Sequence, residues 1–433
     1  MRILLTGATG FIGQHLLHAL LAEGHEIVCA VRRPRQSHDP RLFFITADFT
    51  KDIDKSVWLA RLPGIKVVIN MAGILRESGR QTFDKLHVQT PCALFAACAE
   101  SEDVEMVVQL SALGADEQAD TAYHLSKKAA DDYLASLPLH AAIVQPSLVY
   151  GSNGASTRLF KALASMPFAV RFGTAPQLVQ PIHVDDVVAA TIALLPRRPH
   201  ADPGDAGSTG TIQRIALVGP DALPFTDYLA ALRRGMGMGR LRVLPLPDGL
   251  ARLLAHGARW LPGGLLDPEA LRMLDRGNTA DPGPTLRLLG RPARAITSFV
   301  VEPRAERARA KLDWLLPVLR INIAAVWIIT AIVSAFIYPA ADSYELLART
   351  GVPEKLQPLM LYGASAFDLL LGLGILFLKR RRWLWLAQLG LIIFYTVVIA
   401  WKLPEFLVHP YGPLTKNLPM LAAIWLLYQL EDE

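Results

Sequence analysis

The feature that most constrains the fold is a glycine-rich turn near the start of the chain, Gly7–Gly13, with the sequence GATGFIG. It follows Arg2–Thr6, a short aliphatic run that is typical of a strand buried on both faces. After the turn, apolar residues recur at helical spacing until Gly24, which predicts the end of that helix. A second apolar run, His25–Val31, completes a strand–helix–strand unit of about thirty residues. The sequence therefore predicts an α/β domain with a doubly wound parallel sheet.

A glycine turn between a strand and a helix suits the binding of a pyrophosphate. Glycine has no Cβ to keep the phosphates from the backbone, and the helix that begins near Phe11 offers free N–H groups and the positive end of its dipole. We therefore expect a Rossmann-type dinucleotide site, although a tight turn with a purely structural role has the same spacing. The predicted cofactor contacts in this turn are Gly7, Thr9, Gly10, Phe11, Ile12 and Gly13.

The end of the second predicted strand distinguishes between two cofactors. Proteins that bind NAD(H) often carry Asp or Glu there for the ribose 2′-hydroxyl, whereas this chain has Val31 followed by Arg32 and Arg33. Two guanidinium groups suit a 2′-phosphate. We therefore expect NADP(H) rather than NAD(H); the alternative is that both arginines are solvated loop charges.

Three further strands end in residues that can contact the same cofactor. Asp48 can accept a hydrogen bond from an adenine amino group with Phe49 beside the ring, and the small residues before and at Gly73 let a nicotinamide ribose lie close. The strands are Leu42–Thr46, Lys66–Asn70 and Ala141–Gln145, and the residues predicted to contact the cofactor after them are Asp48, Phe49, Met71, Ala72, Gly73 and Pro146.

A candidate reaction centre follows the strand Glu105–Leu110. Ser111 stands at its carboxyl end, where open α/β sheets bind their ligands. A helix over Tyr123–Leu134 places Tyr123 and Lys127 one turn apart on one face.

This spacing has a chemical use. A phenol has a pKa of about 10, and a nearby ammonium lowers it by favouring the phenolate. Tyr123 can then exchange a proton with a substrate oxygen that Ser111 holds, while Lys127 contacts the nicotinamide ribose. The alternative is a chance Tyr-x-x-x-Lys pattern on a helix surface.

Taken together, these motifs resemble an extended or atypical short-chain dehydrogenase/reductase, in the branch that contains the NADPH-carrying accessory subunit of respiratory complex I. The resemblance covers roughly residues 1–300 and implies catalytic roles for Ser111, Tyr123 and Lys127. Two positions depart from the family pattern: His87 stands in place of an active-site Asn, and Gln145 in place of an Arg. The motifs are Thr6–Gly13, Asn70–Gly73, Ser111, Tyr123-x-x-x-Lys127 and Pro181–Asp186.

Residues 151–310 are expected to form the substrate side of the same domain, which spans residues 1–310. The predicted elements there are helices over Thr157–Leu163, Phe225–Gly235 and from His183 to Leu195, a strand over Gln213–Val218 and an exposed loop over Arg197–Thr211. The basic amphipathic stretch Leu250–Leu261 fits either a helix packed on the domain or one lying on a membrane surface.

The last quarter of the chain is much more apolar than the rest. Hydrophobic residues make up 52% of the sequence, and the excess lies after Leu315. A helix of about 20 apolar residues crosses a hydrocarbon core of about 30 Å, so residues 315–430 predict a four-helix transmembrane bundle whose fourth stretch is short. A buried soluble bundle is the alternative. The four stretches are Leu316–Tyr338, Leu359–Leu378, Trp383–Trp401 and Leu418–Leu430.

Basic residues predict the orientation of these spans. One group precedes or opens the first span, and Lys379–Arg382 fills the loop between the second and third. The positive-inside rule places both groups in the cytoplasm, so we expect a multi-pass protein of the inner membrane with the N-terminal domain and the C-terminus on the cytoplasmic side. The first group comprises Arg304, Arg307, Arg309, Lys311 and Arg320.

The second span contains a carboxylate, Asp368, which needs a partner or a cavity inside a membrane. His409, Lys416 and Asn417 are candidate partners, and a structural contact and a quinone or proton site remain open. This region resembles the DoxX-like family of small four-helix membrane proteins. The resemblance rests on Trp327–Pro339, Gly363–Gly374 and His409–Asn417.

The charge and cysteine content exclude several classes. A net charge of +5 is too small to indicate nucleic-acid binding, and three cysteines without ligand spacing indicate neither a metal site nor a disulfide framework. We expect a membrane-anchored NADP(H)-dependent oxidoreductase that transfers hydride to or from a carbonyl or hydroxyl carbon of a lipophilic small molecule. The alternatives are an NADPH-binding scaffold or redox sensor in a membrane complex, and a nucleotide-sugar epimerase or dehydratase.

Overall fold

The computed structural model describes residues 1–172, 176–196, 212–246 and 268–431. The chain divides into two compact units, Met1–Ala310 and Lys311–Glu433. The predictions for Arg197–Thr211 and Leu250–Leu261 lie outside the described residues.

Within these ranges, the N-terminal unit is built on a parallel sheet of seven strands in the order β11-β6-β5-β4-β1-β2-β3. The chain builds outward from β1 to β3 and then returns across β1 to β4. This reversal opens a crevice at the carboxyl ends of β1 and β4, where sheets of this kind bind ligands. The described strands of the whole unit, which include short strands outside this sheet, are β1 (Arg2–Thr6), β2 (Glu26–Val31), β3 (Leu42–Thr46), β4 (Val67–Asn70), β5 (Met106–Leu110), β6 (Ala141–Pro146), β7 (Val149–Tyr150), β8 (Phe168–Phe172), β9 (Leu178–Val179), β10 (Ile182–His183), β11 (Ile212–Leu217), β12 (Leu223–Pro224) and β13 (Arg242–Leu246).

Helices cover both faces of the sheet, which explains why its central strands are mostly apolar. Successive side chains of a strand point to opposite faces. Accordingly, Ile3 and Leu5 enter one hydrophobic core and Leu4 enters a second one. The helices of this unit are α1 (Phe11–Ala22), α2 (Lys55–Leu59), α3 (Thr90–Glu100), α4 (Ala122–Ala135), α5 (Ala155–Ser165), α6 (Val184–Ala193), α7 (Phe225–Gly235), α8 (Pro268–Arg276) and α9 (Gly283–Leu289).

A third core lies among α5, α7 and the short strands. Tyr150 stacks on Phe299 with ring centroids 4.6 Å apart. The Tyr150 hydroxyl donates to Glu306 Oε2 at 3.1 Å, and Lys161 Nζ pairs with the same oxygen at 3.1 Å. This buried pair fixes the residues around Glu306 to the N-terminal unit, because an unpartnered charge at such a site is costly.

The C-terminal unit is helical. Three helices in the described residues are long and apolar enough to cross a membrane, Pro303–Ile337, Glu354–Phe377 and Arg382–Lys402, and the fourth apolar helix is shorter, at 14 residues. An amphipathic helix between the first two spans was not anticipated from the sequence. The helices are α10 (Pro303–Ile332), α11 (Ala340–Thr350), α12 (Gln357–Phe377), α13 (Arg382–Lys402) and α14 (Asn417–Leu430).

Contacts at both ends of α14 fix its direction against α13. Asn417 Nδ2 donates to Thr396 Oγ1 at 2.8 Å. At the other end, the Glu431 carboxylate accepts from Arg320 and from Arg381, both at 3.2 Å. The helix therefore runs antiparallel to α13 and ends beside the basic loop that precedes α13.

The expected partners of Asp368 are not bonded to it. Asn417 donates to Thr396 instead, and no hydrogen bond joins Asp368 to His409 or Lys416 in the described part of the unit. Asp368 is buried, and its Oδ1 has no hydrogen-bond partner among those residues. The residues after α13 return along that helix and not across to α12. This explains why the expected partners are not bonded to Asp368.

Candidate active site

The glycine turn lies at the carboxyl end of β1, against the segment that follows β4. Gly7 has a φ of +68°, and a Cβ there would lie 2.5 Å from the backbone carbonyl carbon of Met71. A Cβ on Gly13 would lie 2.1 Å from the Gly7 carbonyl oxygen. Two of the predicted glycines are therefore required by backbone contacts within the protein.

The N-terminus of α1 is open to a ligand. Its N-cap residue, Gly10, provides no side-chain hydrogen bond, and the first turn holds no acidic residue. Thr9 and Gly10 are exposed. Free N–H groups with the positive end of a helix dipole are a site for phosphate.

The Phe11 side chain is engaged within the protein. Any contact of Phe11 with a cofactor at this helix end is therefore expected through its backbone, as is that of Ile12. A Cβ on Gly151 would lie 2.5 Å from the Phe11 ring, and one on Gly154 would lie 3.2 Å from it. The same ring contacts His15 edge-on, with centroids 5.7 Å apart. The aromatic ring thus joins the glycine turn to the loop after β7.

A buried chain of polar side chains crosses three neighbouring strands beneath the crevice. Thr6 Oγ1 donates to Asn70 Oδ1 at 2.5 Å, and Asn70 Nδ2 donates to Gln109 Oε1 at 2.7 Å. The backbone N–H of Ala72 points to the same Asn70 oxygen at 3.4 Å. This chain orients the predicted cofactor contacts from Met71 to Gly73. Polar residues within apolar strands were the signal in the sequence that could have identified it.

Lys127 reaches the same crevice from α4. Its Nζ donates to the Leu110 carbonyl oxygen at 3.1 Å, and a Cβ on Gly73 would lie 3.0 Å from that nitrogen. The side chain is 4% exposed, and its burial lowers the pKa of Lys127 to about 8 against the opposing effect of Asp131. The structure thus brings together Gly73 and Lys127, which are 54 positions apart in the sequence.

His87 is a fixed neutral group. Its Nε2 accepts from the backbone N–H of Ile74 at 3.0 Å, and its Nδ1 lies 2.9 Å from Ser126 Oγ. The Ser126 hydroxyl gives its own proton to the Tyr123 carbonyl oxygen at 2.8 Å, so His87 Nδ1 carries the proton between them. Burial and the nearby Lys127 lower the pKa of His87 to about 2. His87 therefore holds the loop after β4 to α4 and cannot take up a proton at neutral pH.

Tyr123 is half-buried among aromatic rings. Its ring lies 6.0 Å from that of Phe83 and 5.6 Å from that of His87. Burial of the phenol, with a contribution from Asp131, raises the pKa of Tyr123 to about 12. This corrects the expectation that Lys127 lowers that pKa. The reason is that the Lys127 ammonium is balanced by Asp131 and bonded to a carbonyl, which leaves desolvation as the larger effect.

The Ser111 hydroxyl is directed into the protein. It donates to Asp131 Oδ2, and Ser111 is 4% exposed. Asp131 lies one turn after Lys127 on α4, and its burial raises the pKa of the carboxyl to about 6. Asp131 was missed from the sequence, although its spacing from Lys127 was a usable signal. The substrate-binding role of Ser111 remains a prediction, and it requires that the hydroxyl leave Asp131.

The two arginines after β2 are exposed at the edge of the crevice. Arg32 and Arg33 make no hydrogen bond or ion pair with the residues that the structure describes. The predicted adenine contacts are less free. Asp48 Oδ1 accepts from the Thr50 backbone and hydroxyl at 3.0 and 2.8 Å, and Phe49 packs edge-on against Trp58 at 5.5 Å.

Apolar residues lie at or just after the carboxyl ends of β4, β5 and β6. Pro146 is buried, and its carbonyl accepts from the backbone N–H of Leu113 at 3.0 Å. Leu113 is partly exposed, and Leu75, two residues after Gly73, is 63% exposed. Among the described residues, no group of three or more His, Cys, Asp or Glu side chains could hold a metal ion.

Comparisons with known families agree with this architecture. Residues 3–206 match the NAD dependent epimerase/dehydratase family, and residues 324–425 match the DoxX-like family. The chain therefore joins a Rossmann domain of the NAD-dependent epimerase and short-chain dehydrogenase type to a C-terminal DoxX-like domain.

Curated relatives align with the N-terminal part. A ceramide reductase of Caulobacter vibrioides is 27% identical over 252 residues, which cover 57% of this chain and 74% of that protein. Subunit 9 of the mitochondrial NADH dehydrogenase alpha subcomplex of Arabidopsis thaliana is 26% identical over 264 residues, covering 58% of this chain and 61%, less than two thirds, of the subunit.

Solved structures share the fold. A UDP-glucuronic acid 4-epimerase of Bacillus cereus, in complex with UDP-glucuronic acid and NAD, is 20% identical with a TM-score of 0.50, covering 72% of this chain and 100% of that one. A nucleoside-diphosphate-sugar epimerase of Staphylococcus aureus is 17% identical with a TM-score of 0.55, covering 69% and 99%. At this level of identity the likeness shows the fold alone.

Proposed function

We propose that the N-terminal domain is an NADP(H)-dependent oxidoreductase that interconverts a carbonyl and an alcohol on a lipophilic substrate, and that the DoxX-like domain anchors it in the cytoplasmic membrane. The observation that carries the proposal is the position of Tyr123 and Lys127. They lie one turn apart on α4, and Lys127 Nζ meets the Gly73 segment and the Leu110 carbonyl at the carboxyl edge of the sheet. This edge is where parallel sheets bind ligands.

The residues of the crevice fit a dinucleotide phosphate. The open N-terminus of α1 suits the pyrophosphate, and the absence of a Cβ at Gly10 leaves that helix end accessible. The exposed guanidiniums of Arg32 and Arg33 suit a 2′-phosphate at the end of β2, where the chain has no acidic residue. When bound, the dihydronicotinamide supplies the hydride to the carbonyl carbon.

Tyr123 handles the proton of this reaction. In reduction, its O–H bond breaks as an O–H bond forms on the substrate oxygen, and the phenolate is reprotonated from solvent. With a pKa raised to about 12, Tyr123 is protonated at neutral pH and can act as the proton donor in reduction. The Lys127 ammonium, which lies beside the Gly73 segment, would hold the ribose hydroxyls of the bound cofactor.

Three features support a lipophilic substrate. The exposed Leu75 and the partly exposed Leu113 follow β4 and β5 at the carboxyl edge of the sheet. A relative of the N-terminal part is a ceramide reductase, and ceramide is a membrane lipid. The DoxX-like domain brings helices of membrane-spanning length to the same chain.

The cofactor preference is tested by nucleotide fluorescence on detergent-purified protein. We expect NADPH to bind at least tenfold more tightly than NADH, since each charge-assisted phosphate contact contributes roughly 1–2 kcal/mol. The double variant Arg32→Ala/Arg33→Ala should lose this preference. Arg234→Ala/Arg240→Ala removes two exposed charges near α7 and should keep it. Equal binding of both nucleotides to the wild type would contradict the assignment to NADP(H).

A second candidate is a cofactor-loaded subunit that does no turnover. The neutral, fully bonded His87 favours it, and the Arabidopsis relative is a subunit of a mitochondrial NADH dehydrogenase. Stable co-purification with membrane proteins, together with NADPH binding but no turnover in the wild type, would support it. An epimerase or dehydratase is a third candidate, which the retention of NAD through purification would favour.

A further inference from the structure

Asp131 is a fully buried carboxylate that the proposed proton transfer does not use. Its Oδ2 accepts from the Ser111 hydroxyl, while its Oδ1 has no hydrogen-bond partner among the described residues. A buried carboxylate with a free oxygen is costly unless it balances a nearby charge.

The groups around Asp131 come from four elements. On α4 it follows Lys127 by one turn, and its charge also acts on Tyr123. Ser111 follows β5, and the nearby Gln145 amide of β6, whose Nε2 donates to the Ala115 carbonyl oxygen, helps to lower the pKa of Asp131. Arg214 of β11 acts on it from a distance, because that guanidinium is bonded to the surface carboxylate of Asp132. His87, which faces Lys127 from the other side, is neutral.

We propose that Asp131 is a positioning residue: it balances the Lys127 ammonium beside the cofactor crevice and keeps the Ser111 hydroxyl bonded inside the protein. This rests on the proposed function, because it assigns to Asp131 the control of the proton exchange at Tyr123. Lys127 lies one helical turn before this carboxylate on α4, and its Nζ donates to the Leu110 carbonyl oxygen at the crevice edge.

The sign of the effect follows from the charges. Asp131 attracts the Lys127 ammonium and raises its pKa, and it repels the Tyr123 phenolate and raises the pKa of the phenol. Replacing the carboxylate by an amide of equal shape removes both effects. Lys127 then loses its proton at lower pH, and Tyr123 ionises at lower pH, so activity is lost earlier as the pH rises.

The test compares pH profiles of kcat and kcat/KM for full-length wild type, Asp131→Asn and Asp132→Asn, with NADPH affinity measured alongside. We expect the alkaline limb of Asp131→Asn to move down by about one pH unit, with NADPH affinity weakened at high pH. Asp132→Asn changes the neighbouring carboxylate at the surface and should leave the profile in place. A residue that only supports the fold would lower kcat without moving the limb.

A second variant covers the case in which Asp131→Asn does not fold. Ser111→Ala keeps the carboxylate but removes the hydrogen bond that stabilises its charge, so Asp131 should be protonated at higher pH and the acidic limb should move up. If the folded variants turn over and the limbs of their pH profiles superimpose on those of the wild type, the role of Asp131 is overturned and the proposed function is not. No NADPH binding and no turnover in the wild type overturn the proposed function itself.

Discussion

At the residue scale, the glycine turn shows two separate reasons for a glycine. Gly7 has a positive φ and also lies in backbone contact with Met71, whereas Gly24 has a φ of +83° with open space around it. A side chain at Gly24 has only the conformational cost of a positive φ. A side chain at Gly7 has that cost and also collides with the Met71 backbone.

We therefore predict that Gly7→Ala destabilises the N-terminal domain by about 2 kcal/mol or more and removes NADPH binding. Gly24→Ala should cost only about 1 kcal/mol and retain binding. Denaturant unfolding of the full chain in detergent, with nucleotide fluorescence, measures both. Equal effects of the two variants would show that the contact with Met71 is not tight.

His87 makes the free energy of unfolding depend on pH. The pKa of His87 is lowered to about 2 in the folded protein, so only the unfolded chain takes up a proton as the pH falls through about 6.5. The contribution of neutral His87 to the free energy of unfolding is therefore present above that pH and is lost below it. The loss between pH 7 and pH 5 is about 2 kcal/mol.

The variant His87→Asn lacks this titration. We predict that the free energy of unfolding of the wild type, relative to that of His87→Asn, falls by that amount from pH 7 to pH 5. Denaturant unfolding of both proteins at the two pH values measures it. A constant difference across this range would mean that His87 is charged or exposed in the folded protein.

Side-chain direction limited what the sequence could predict at this scale. The apolar runs before Ser111 and Gly7 located both strand ends, because burial on two faces leaves a clear pattern. The direction of the Ser111 hydroxyl depends on Asp131, whose approach is set by the packing of α4. For the same reason, the engagement of the Phe11 ring by Gly151 was not visible from spacing.

At the scale of elements, helix packing in the C-terminal unit includes a close approach of two helices at Gly372. A Cβ on Gly372 of α12 would lie 2.6 Å from Ile328 and 3.0 Å from the Ala324 carbonyl oxygen of α10. Gly363 lies on the same helix, and a Cβ there would have no neighbour within 4 Å among the described residues. Small residues of this kind let membrane helices approach closely.

We predict that Gly372→Ala lowers the melting temperature of the detergent-solubilised protein, because α10 and α12 must separate. Gly363→Ala should leave it unchanged or raise it slightly, since alanine is the better helix former. A melting temperature for Gly372→Ala equal to that of Gly363→Ala would contradict the close packing of these helices.

Elements with long apolar patterns were the ones that sequence reasoning located well. The three long apolar stretches reappear as helices of membrane-spanning length. The helix Ala340–Thr350 was missed because it is short and amphipathic, without a hydrophobic run to mark it. The π-helical turn Asp84–Gln89, which carries His87, has no sequence signature of its own.

At the scale of the whole molecule, the contacts of the last helix predict a topology. Glu431 is bonded to Arg320 and Arg381, so the end of α14 and the loop Lys379–Arg382 lie on one side of the C-terminal unit. The positive-inside rule assigns that side to the cytoplasm.

A cysteine at position 380 and a C-terminal reporter should therefore both be inaccessible from outside intact cells and accessible after permeabilisation. A cysteine in place of Tyr411, which is 76% exposed and lies before α14, should be labelled from outside. Labelling of position 380 in intact cells would reverse the predicted orientation.

In the proposed function, this chain uses NADPH to reduce a lipophilic carbonyl with Tyr123 as the proton donor. The most direct measurement is NADPH oxidation by the purified full-length protein with long-chain ketones, comparing wild type with Tyr123→Phe. We predict turnover in the wild type and a loss of 100-fold or more, roughly the contribution of a general acid, in a variant that still binds NADPH. Equal turnover in the two proteins would contradict the claim.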